Sequence, residues 1–324
     1  MKKKITITGA AGFIGYHTSK FFLKKNYKVL GIDNLNKYYD KKLKKKRLYN
    51  LKKIKNFKFA KIDLINFKKL NEIIKKFKPE YIIHLAGQAG VRYSLHNPRV
   101  FIDSNIIGTF NILEICRNIK PKHTIIASSS SVYGNNKKIP FTETSNCNTP
   151  LSLYAATKLS TEHLSHVYSH IHKIPITAAR FFSVYGPYGR PDMTPFKFFE
   201  LHKANKPIEI YNYGNMSRDF TYIDDVVQYL SLLLEKPSKK KIPFQVINIS
   251  NSKRIKLMEF IKNIEKIAHI KFKKKYRKKN ILDVKDTLSS NLLLQKFVKK
   301  NYKIGTSIVL GIIEFVKWYK KYRM

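Results

Sequence analysis

The sequence predicts an α/β fold in which helices cover both faces of a doubly wound parallel sheet and a smaller mixed α/β unit follows. Three observations predict it. Short β-branched runs alternate with longer amphipathic segments through the first half, the pattern of strands joined by crossover helices. A glycine-spaced turn, Gly9-Ala10-Ala11-Gly12-Phe13-Ile14-Gly15, separates the first strand from the first helix. Beyond Arg180 the texture changes, with Gly186-Pro187, Gly189-Arg190-Pro191 and Tyr213-Gly214-Asn215 cutting the chain into short pieces.

Strands are expected at Lys4–Thr8, Lys28–Asp33, Phe57–Ile62, Tyr81–His84, His123–Ser128 and Ile174–Arg180. Helices are expected at Gly12–Lys25, Phe67–Phe77, Arg99–Asn118, Leu153–His172 and Ile308–Tyr322. The Lys-rich stretch Tyr38–Lys55 reads as a partly helical excursion. Residues 1–180 therefore form a dinucleotide-binding unit of the Rossmann type, and 181–324 a smaller substrate-capping unit. Their boundary is expected to interleave. Ile223-Asp224-Asp225-Val226-Val227 looks like a helix start, so a segment near 215–235 should return to the main sheet.

Composition sets outer limits. With 324 residues and 43% apolar content, the chain can bury a real core, which excludes wholesale disorder. No apolar run reaches the length of a membrane-spanning helix, and the start is no signal peptide, so a cytoplasmic location is expected. Cys116 and Cys147 are too few and too far apart for a disulfide framework, and no metal site is expected.

The net charge of +43 invites a nucleic-acid or membrane-surface reading. Yet only ten of the 64 basic residues are Arg, and they are scattered. The lysine runs at 41–46, 52–58, 239–241 and 273–279 read as exposed loops or helix faces. Lys, Ile, Asn, Phe and Tyr are abundant together, as A/T-rich codons produce. Neither a nucleic acid nor a membrane is expected as partner, although such a charge attracts anionic substrates.

The glycine spacing has a physical logic. Gly9 permits a tight turn, Gly12 lets backbone approach a diphosphate, and Gly15 lets the helix pack close to the strand. The phosphates then meet the positive helix N-terminus. Asp33 ends the second strand about 20 residues on, where a carboxylate accepts hydrogen bonds from the ribose 2′-hydroxyl and repels a 2′-phosphate. The expected cofactor is NAD rather than NADP. Asn34 and Asn36 can add ribose contacts. Asp63 has two readings, a contact to the adenine amine or a helix N-cap.

Tyr154 and Lys158 stand four residues apart, so phenol and ammonium share one helix face. A free Tyr titrates near pH 10. A nearby cation and a positive nicotinamide favour the phenolate, which allows Tyr154 to act as general base near neutrality. Upstream, Ser128-Ser129-Ser130-Ser131 closes a strand at its carboxyl end, where open α/β sheets bind ligands.

At these residues the chain resembles the extended short-chain dehydrogenases that act on nucleotide sugars, and within them most closely the UDP-glucuronate 4-epimerases. The resemblance runs nearly end to end. It is carried by 31–40 (GIDNLNKYYD), 84–94 (HLAGQAGVRYS), 152–158 (SLYAATK), 180–187 (RFFSVYGP), 189–193 (GRPDM) and 218–225 (RDFTYIDD). It implies Tyr154 as base, Lys158 as its helper and Ser129 as the hydroxyl on sugar O4. Phe13, Ile14, Leu64, Leu85, Ala86, Gln88 and Asn105 would serve the cofactor side. Arg218 would bind the UDP diphosphate, with Arg92 and Asp283 also on the substrate side. A homodimer through Arg99–Asn118 and Leu153–His172 is implied as well.

Three features narrow the chemistry. Ser130 and Ser131 stand where related dehydratases carry an acidic pair, and hydroxyls cannot do that proton transfer. Ser183 stands where galactose-type epimerases have Asn. Ser130, Ser131, Ser183 and Arg190 offer donors to a C6 carboxylate, with no competing carboxylate expected. The resemblance thus implies NAD-dependent inversion at C4 of UDP-glucuronate through a 4-keto sugar. Epimerisation of another UDP-sugar, or decarboxylation of UDP-glucuronate, stays open as the alternative. Departures from the family pattern are Gly87 for Ala, expected to be harmless, and Ser250, Leu282 and Ser289-Ser290 in the C-terminal part.

Overall fold

The structure, a computed structural model, describes residues 2–298 and 305–323. Strands β1 (Lys4–Thr8), β2 (Lys28–Asp33), β3 (Phe57–Lys61) and β4 (Tyr81–His84) alternate with helices α1 (Phe13–Lys24), α2 (Lys41–Lys52) and α3 (Phe67–Phe77). Short turns α4 (Tyr93–His96) and α5 (Pro98–Phe101) lead through the π-helical turn Ile102–Ile107 into α6 (Gly108–Ile119). Then follow β5 (His123–Ser129), α7 (Leu153–His172) and β6 (Ile176–Phe181). The remainder is β7 (Ser183–Tyr185), α8 (Phe196–Lys203), β8 (Ile208–Tyr211), β9 (Ser217–Tyr222), α9 (Ile223–Leu234) and β10 (Phe244–Ile249). It ends with β11 (Arg254–Lys256), α10 (Leu257–Ala268), β12 (Lys274–Arg277), α11 (Leu292–Gln295) and α12 (Ile308–Arg323).

The main sheet runs β3-β2-β1-β4-β5-β6-β10, with every neighbouring pair parallel. This is the Rossmann-type doubly wound order, with a seventh strand added. Its strands are apolar on both faces because both faces are covered. Ile5, Ile7, Val29, Ile83 and Ile125 face α1 and α9, against Phe22, Val226 and Leu230. Leu30, Ile32, Ile82 and Ile126 face the other layer, against Leu70, Ile74, Ile112 and Tyr168. Adjacent residues of one strand thus enter opposite cores, as a period of two requires.

All six expected strands are present, with ends shifted by at most two residues. The seventh, β10, carries no strong local signal, and its edge position beside β6 depends on the whole sheet. Helix α9 does return, packing on α1 and β5, but the chain rejoins the sheet later than 215–235. The single helix expected over Arg99–Asn118 is interrupted by the π-helical turn, which carries Asn105 buried toward the site. Such turns recur at functional sites because the wider turn re-aims a side chain.

Beyond the main sheet, β11-β9-β7 form a small sheet and β8 pairs with β12. An aromatic cluster of Phe196, Phe199, Phe315, Trp318 and Tyr319 packs α8 against α12. Among the described residues no helix is long and apolar enough to cross a membrane.

Candidate active site

The chain runs outward from β1 to β2 and β3, then crosses back to β4. A cavity of about 760 Å³ opens at that switch, at the carboxyl ends of β1, β2, β4 and β5. It reaches across to Tyr211, Arg218, Phe220 and Leu257 of the smaller part. Its size is in the upper range of ligand pockets. Every residue expected to serve cofactor or substrate lines it, except Asn105.

One wall is the glycine turn. Gly9 has φ +70°, and a Cβ there would lie 2.8 Å from the Ala86 amide nitrogen. A Cβ at Gly15 would lie 2.0 Å from the Gly9 carbonyl oxygen, so only glycine lets α1 start this close to the turn. Helix α1 begins at Gly12 with no side-chain cap and no acidic residue in its first turn. Its first amides are therefore available to an anion. Asp33 accepts hydrogen bonds from the Ala11 amide at 3.1 Å and the Leu35 amide at 2.8 Å. These features fit a dinucleotide: a bare helix start for phosphate and a held carboxylate for ribose.

Two further residues at this wall have defined partners. Asp63 is not a helix cap, because Asn66 caps α3 by accepting from the Lys69 amide. Asp63 instead accepts from Asn34 Nδ2 at 2.8 Å and the Ile65 amide, and it lines the cavity. Asn105 does not line the cavity. It is buried beneath it, accepting from the Gln88 amide and donating to the Gln88 carbonyl and Thr157 Oγ1. It holds the Gln88 loop against α7. A Cβ at Gly87 would lie 2.8 Å from Asn105 Oδ1 and 3.3 Å from Lys158 Nζ, the ends of two side chains.

Helix α7 carries Tyr154 and Lys158 in its first two turns. Ser152 caps it, its Oγ accepting from the Ala155 amide at 3.1 Å. We expect Ser152→Ala to cost about 1 kcal/mol of stability, read by chemical denaturation; an unchanged midpoint would show that the cap is idle. The Ser129 hydroxyl reaches Ser131 Oγ at 3.2 Å and lines the cavity with the Tyr154 phenol.

Burial and neighbouring charge set the electrostatics of Tyr154 and Lys158. Burial pushes the Tyr154 phenol above its ordinary value, while Ser129 and the charge of Arg190 pull it back. The cation acting on the phenol is thus Arg190. Lys158 donates to the Ala127 carbonyl at 2.9 Å, and burial lowers it to about 8 against the pull of Glu162. An ammonium has three donors, so this bond leaves others for a ligand in the cavity.

Arg190 brings its own carboxylate, which overturns the expectation of none. Its Nε and Nη2 grip Asp192 at 3.0 and 2.5 Å, and the Tyr38 hydroxyl donates to the same carboxylate at 2.8 Å. At the far end, Arg92 pairs with Asp283 at 2.7 Å and stacks 3.9 Å over the Tyr211 ring. Arg218 donates to the carbonyls of Ser217 and Lys285. Ser130, Ser131 and Ser183 complete the wall near Tyr154.

Sequence reading missed Tyr38, Lys44 and Asp192, all of which line the cavity. It also read the 41–46 lysine run as solvated. Lys44 and Arg47 are buried with Leu43, Leu48 and Leu51 on the inner face of α2. Leucines at helical spacing around them were the available signal. Asp192 sat two residues from Arg190 in a stretch already singled out.

A Rossmann sheet with a bare glycine turn, a ribose carboxylate and a Ser-Tyr-Lys set defines a nicotinamide-dependent enzyme of the extended short-chain dehydrogenase class. The NAD dependent epimerase/dehydratase family matches residues 5–250, and the chain belongs to that family. Protein CapI of Staphylococcus aureus is 44% identical, covering 98% of this chain and 99% of that one. A UDP-glucuronate 4-epimerase of Thermodesulfobacterium geofontis is 42% identical, covering 97% and 95%. Among solved structures, the UDP-glucuronic acid 4-epimerase of Bacillus cereus in complex with UDP-glucuronic acid and NAD superposes with a TM-score of 0.91. It is 34% identical and covers 98% of this chain and 99% of that one.

Proposed function

We propose that the chain is a UDP-sugar 4-epimerase with NAD as its cofactor, and that its substrate is UDP-glucuronate, inverted at C4 to UDP-galacturonate through a 4-keto sugar. The observation that carries this is the meeting of Ser129, Tyr154 and Arg190 at one end of a cavity whose other end holds Arg92 and Arg218. The named relatives and the ligand-bound neighbour support the same reading.

Bound NAD would supply a reversible hydride acceptor at the sugar's C4. The chain supplies the rest. Tyr154 takes the O4 proton and later returns it. Ser129, on the cavity wall with the phenol, holds O4 in reach of it. Asp33 and Lys158 grip the cofactor riboses, and Asn105 fixes the loop between them. Arg92 and Arg218 hold the diphosphate by charge-assisted bonds. Ser130, Ser131, Ser183 and Arg190 hold the C6 carboxylate out of alignment with the C4 carbonyl, so carbon dioxide is kept. Residues 1–180, with β10 returned to their sheet, serve NAD, and 181–324 supply the sugar side.

The test is product analysis with purified protein and UDP-glucuronate. UDP-galacturonate as product is expected. UDP-xylose or a 4-ketopentose would make the enzyme a decarboxylase, and turnover only of uncharged UDP-sugars would remove the carboxylate site.

The same reading includes a homodimer. Ile107 and Phe110 lie exposed beside the exposed Val167 and Ile171 of α7. Phe110 also touches Tyr168, so exposed apolar side chains of α6 and α7 lie next to each other, where a second copy can cover them. Phe110→Asp is expected to yield monomer in sedimentation velocity, and a monomeric wild type would exclude the dimer.

A further inference from the structure

Helix α2 buries two cations one turn apart on its inner face, Lys44 and Arg47. Lys44 Nζ reaches Asn36 Oδ1 at 2.6 Å, within the loop that follows Asp33. Arg47 is 0% exposed. Among the described residues its hydrogen-bond partners are all neutral, and its Nε has none. A buried charge without a counter-ion is costly, and a chain keeps one only where its geometry does something a neutral residue cannot.

The geometry is a three-way clasp. Nη1 donates to the Ala11 carbonyl at 3.0 Å, inside the glycine turn, and to the Tyr39 hydroxyl at 2.7 Å. Nη2 donates to the Tyr188 and Gly189 carbonyls at 2.6 and 3.1 Å, directly before Arg190. Asn50, on the same helix, adds a bond to the Tyr188 hydroxyl at 3.1 Å. One guanidinium thus joins the cofactor turn, the ribose-side loop and the segment carrying Arg190. The planar fork suits this, since its two ends serve acceptors in different directions.

We propose that Arg47 is a positioning residue that locks the glycine turn to the 188–192 segment, so that cofactor retention and substrate affinity depend on one buried guanidinium. The substrate half rests on the function proposed above; the cofactor half does not.

The experiment compares wild type with Arg47→Lys and Arg47→Met, using Asn66→Ala as a control that weakens the cap of α3 away from the site. Circular dichroism reports folding. NAD released per chain on denaturation reports retention. KM and kcat for UDP-glucuronate are taken with saturating added NAD. Lys keeps the charge but cannot serve both directions. Arg47→Lys is therefore expected to fold, to lose copurified NAD, and to raise KM about tenfold with kcat nearly unchanged. The control should lose stability and keep both NAD and KM.

A folded Arg47→Lys with wild-type NAD content and KM overturns the proposal. So does loss of fold in both Arg47 variants, which would make the residue structural alone. Should wild type leave UDP-glucuronate untouched, the substrate reading fails and the NAD content of the variants still decides.

Discussion

Tyr154→Phe is expected to lower kcat by roughly 10²- to 10⁴-fold, the range that a positioned general base contributes. The ring stays, so its edge contact with Phe101 and the packing of α7 survive. Lys158 is held by the Ala127 carbonyl rather than by the phenol, so it keeps its place. Cofactor content and thermal stability should therefore match wild type, which separates lost chemistry from lost structure. A kcat within tenfold of wild type would remove Tyr154 from the mechanism. The pH dependence carries the same signature. The base works deprotonated, so the wild-type rate should rise with pH from the acid side. Burial holds the phenol above its ordinary value, so the rate should keep rising until Lys158 begins to lose its proton near 8 and should level off there. The Phe variant should lose the rising limb.

The second large effect concerns stability. Arg180 and Glu162 are 4% and 5% exposed, and the guanidinium holds both carboxylate oxygens, at 2.8 and 2.7 Å. Ser128 donates to the same carboxylate, and the guanidinium lies over the Tyr133 ring. The pair thus ties β5, α7 and β6 together behind the cavity wall that carries Ser129, Tyr154 and Lys158. Arg180→Met leaves Glu162 buried and uncompensated, which costs about 3–5 kcal/mol. The melting temperature should fall by roughly 4–7 °C, checked by calorimetry. Glu162→Met combined with Arg180→Met removes both charges and should recover part of that loss. A single variant melting within about 2 °C of wild type would show that the pair is no brace.

Glu162 also connects this brace to the chemistry. It raises Lys158 against the burial that lowers it. The charge of Lys158 is thus supported from one turn away on the same helix, a link that spacing suggests and only burial makes strong.

What could be read in the chain itself was whatever depends on spacing within one element. Gly9, Gly12 and Gly15 mark a turn because the turn geometry is local. Asp33 sits at a strand end, and Tyr154 and Lys158 share a face, because strand and helix periods are the same in any protein. The parallel sheet followed from runs buried on both faces. What only the folded chain decided were meetings between distant segments. Asp192 takes Arg190 while Tyr38, 154 positions earlier, donates to the same carboxylate. Arg47 meets Gly189 across 142 positions. Lysines that looked solvated go inward because the fold closes over α2, and Lys158 turns to a backbone carbonyl instead of the phenol beside it. Local geometry repeats along any chain, whereas burial and partner choice depend on which surfaces the completed fold presses together.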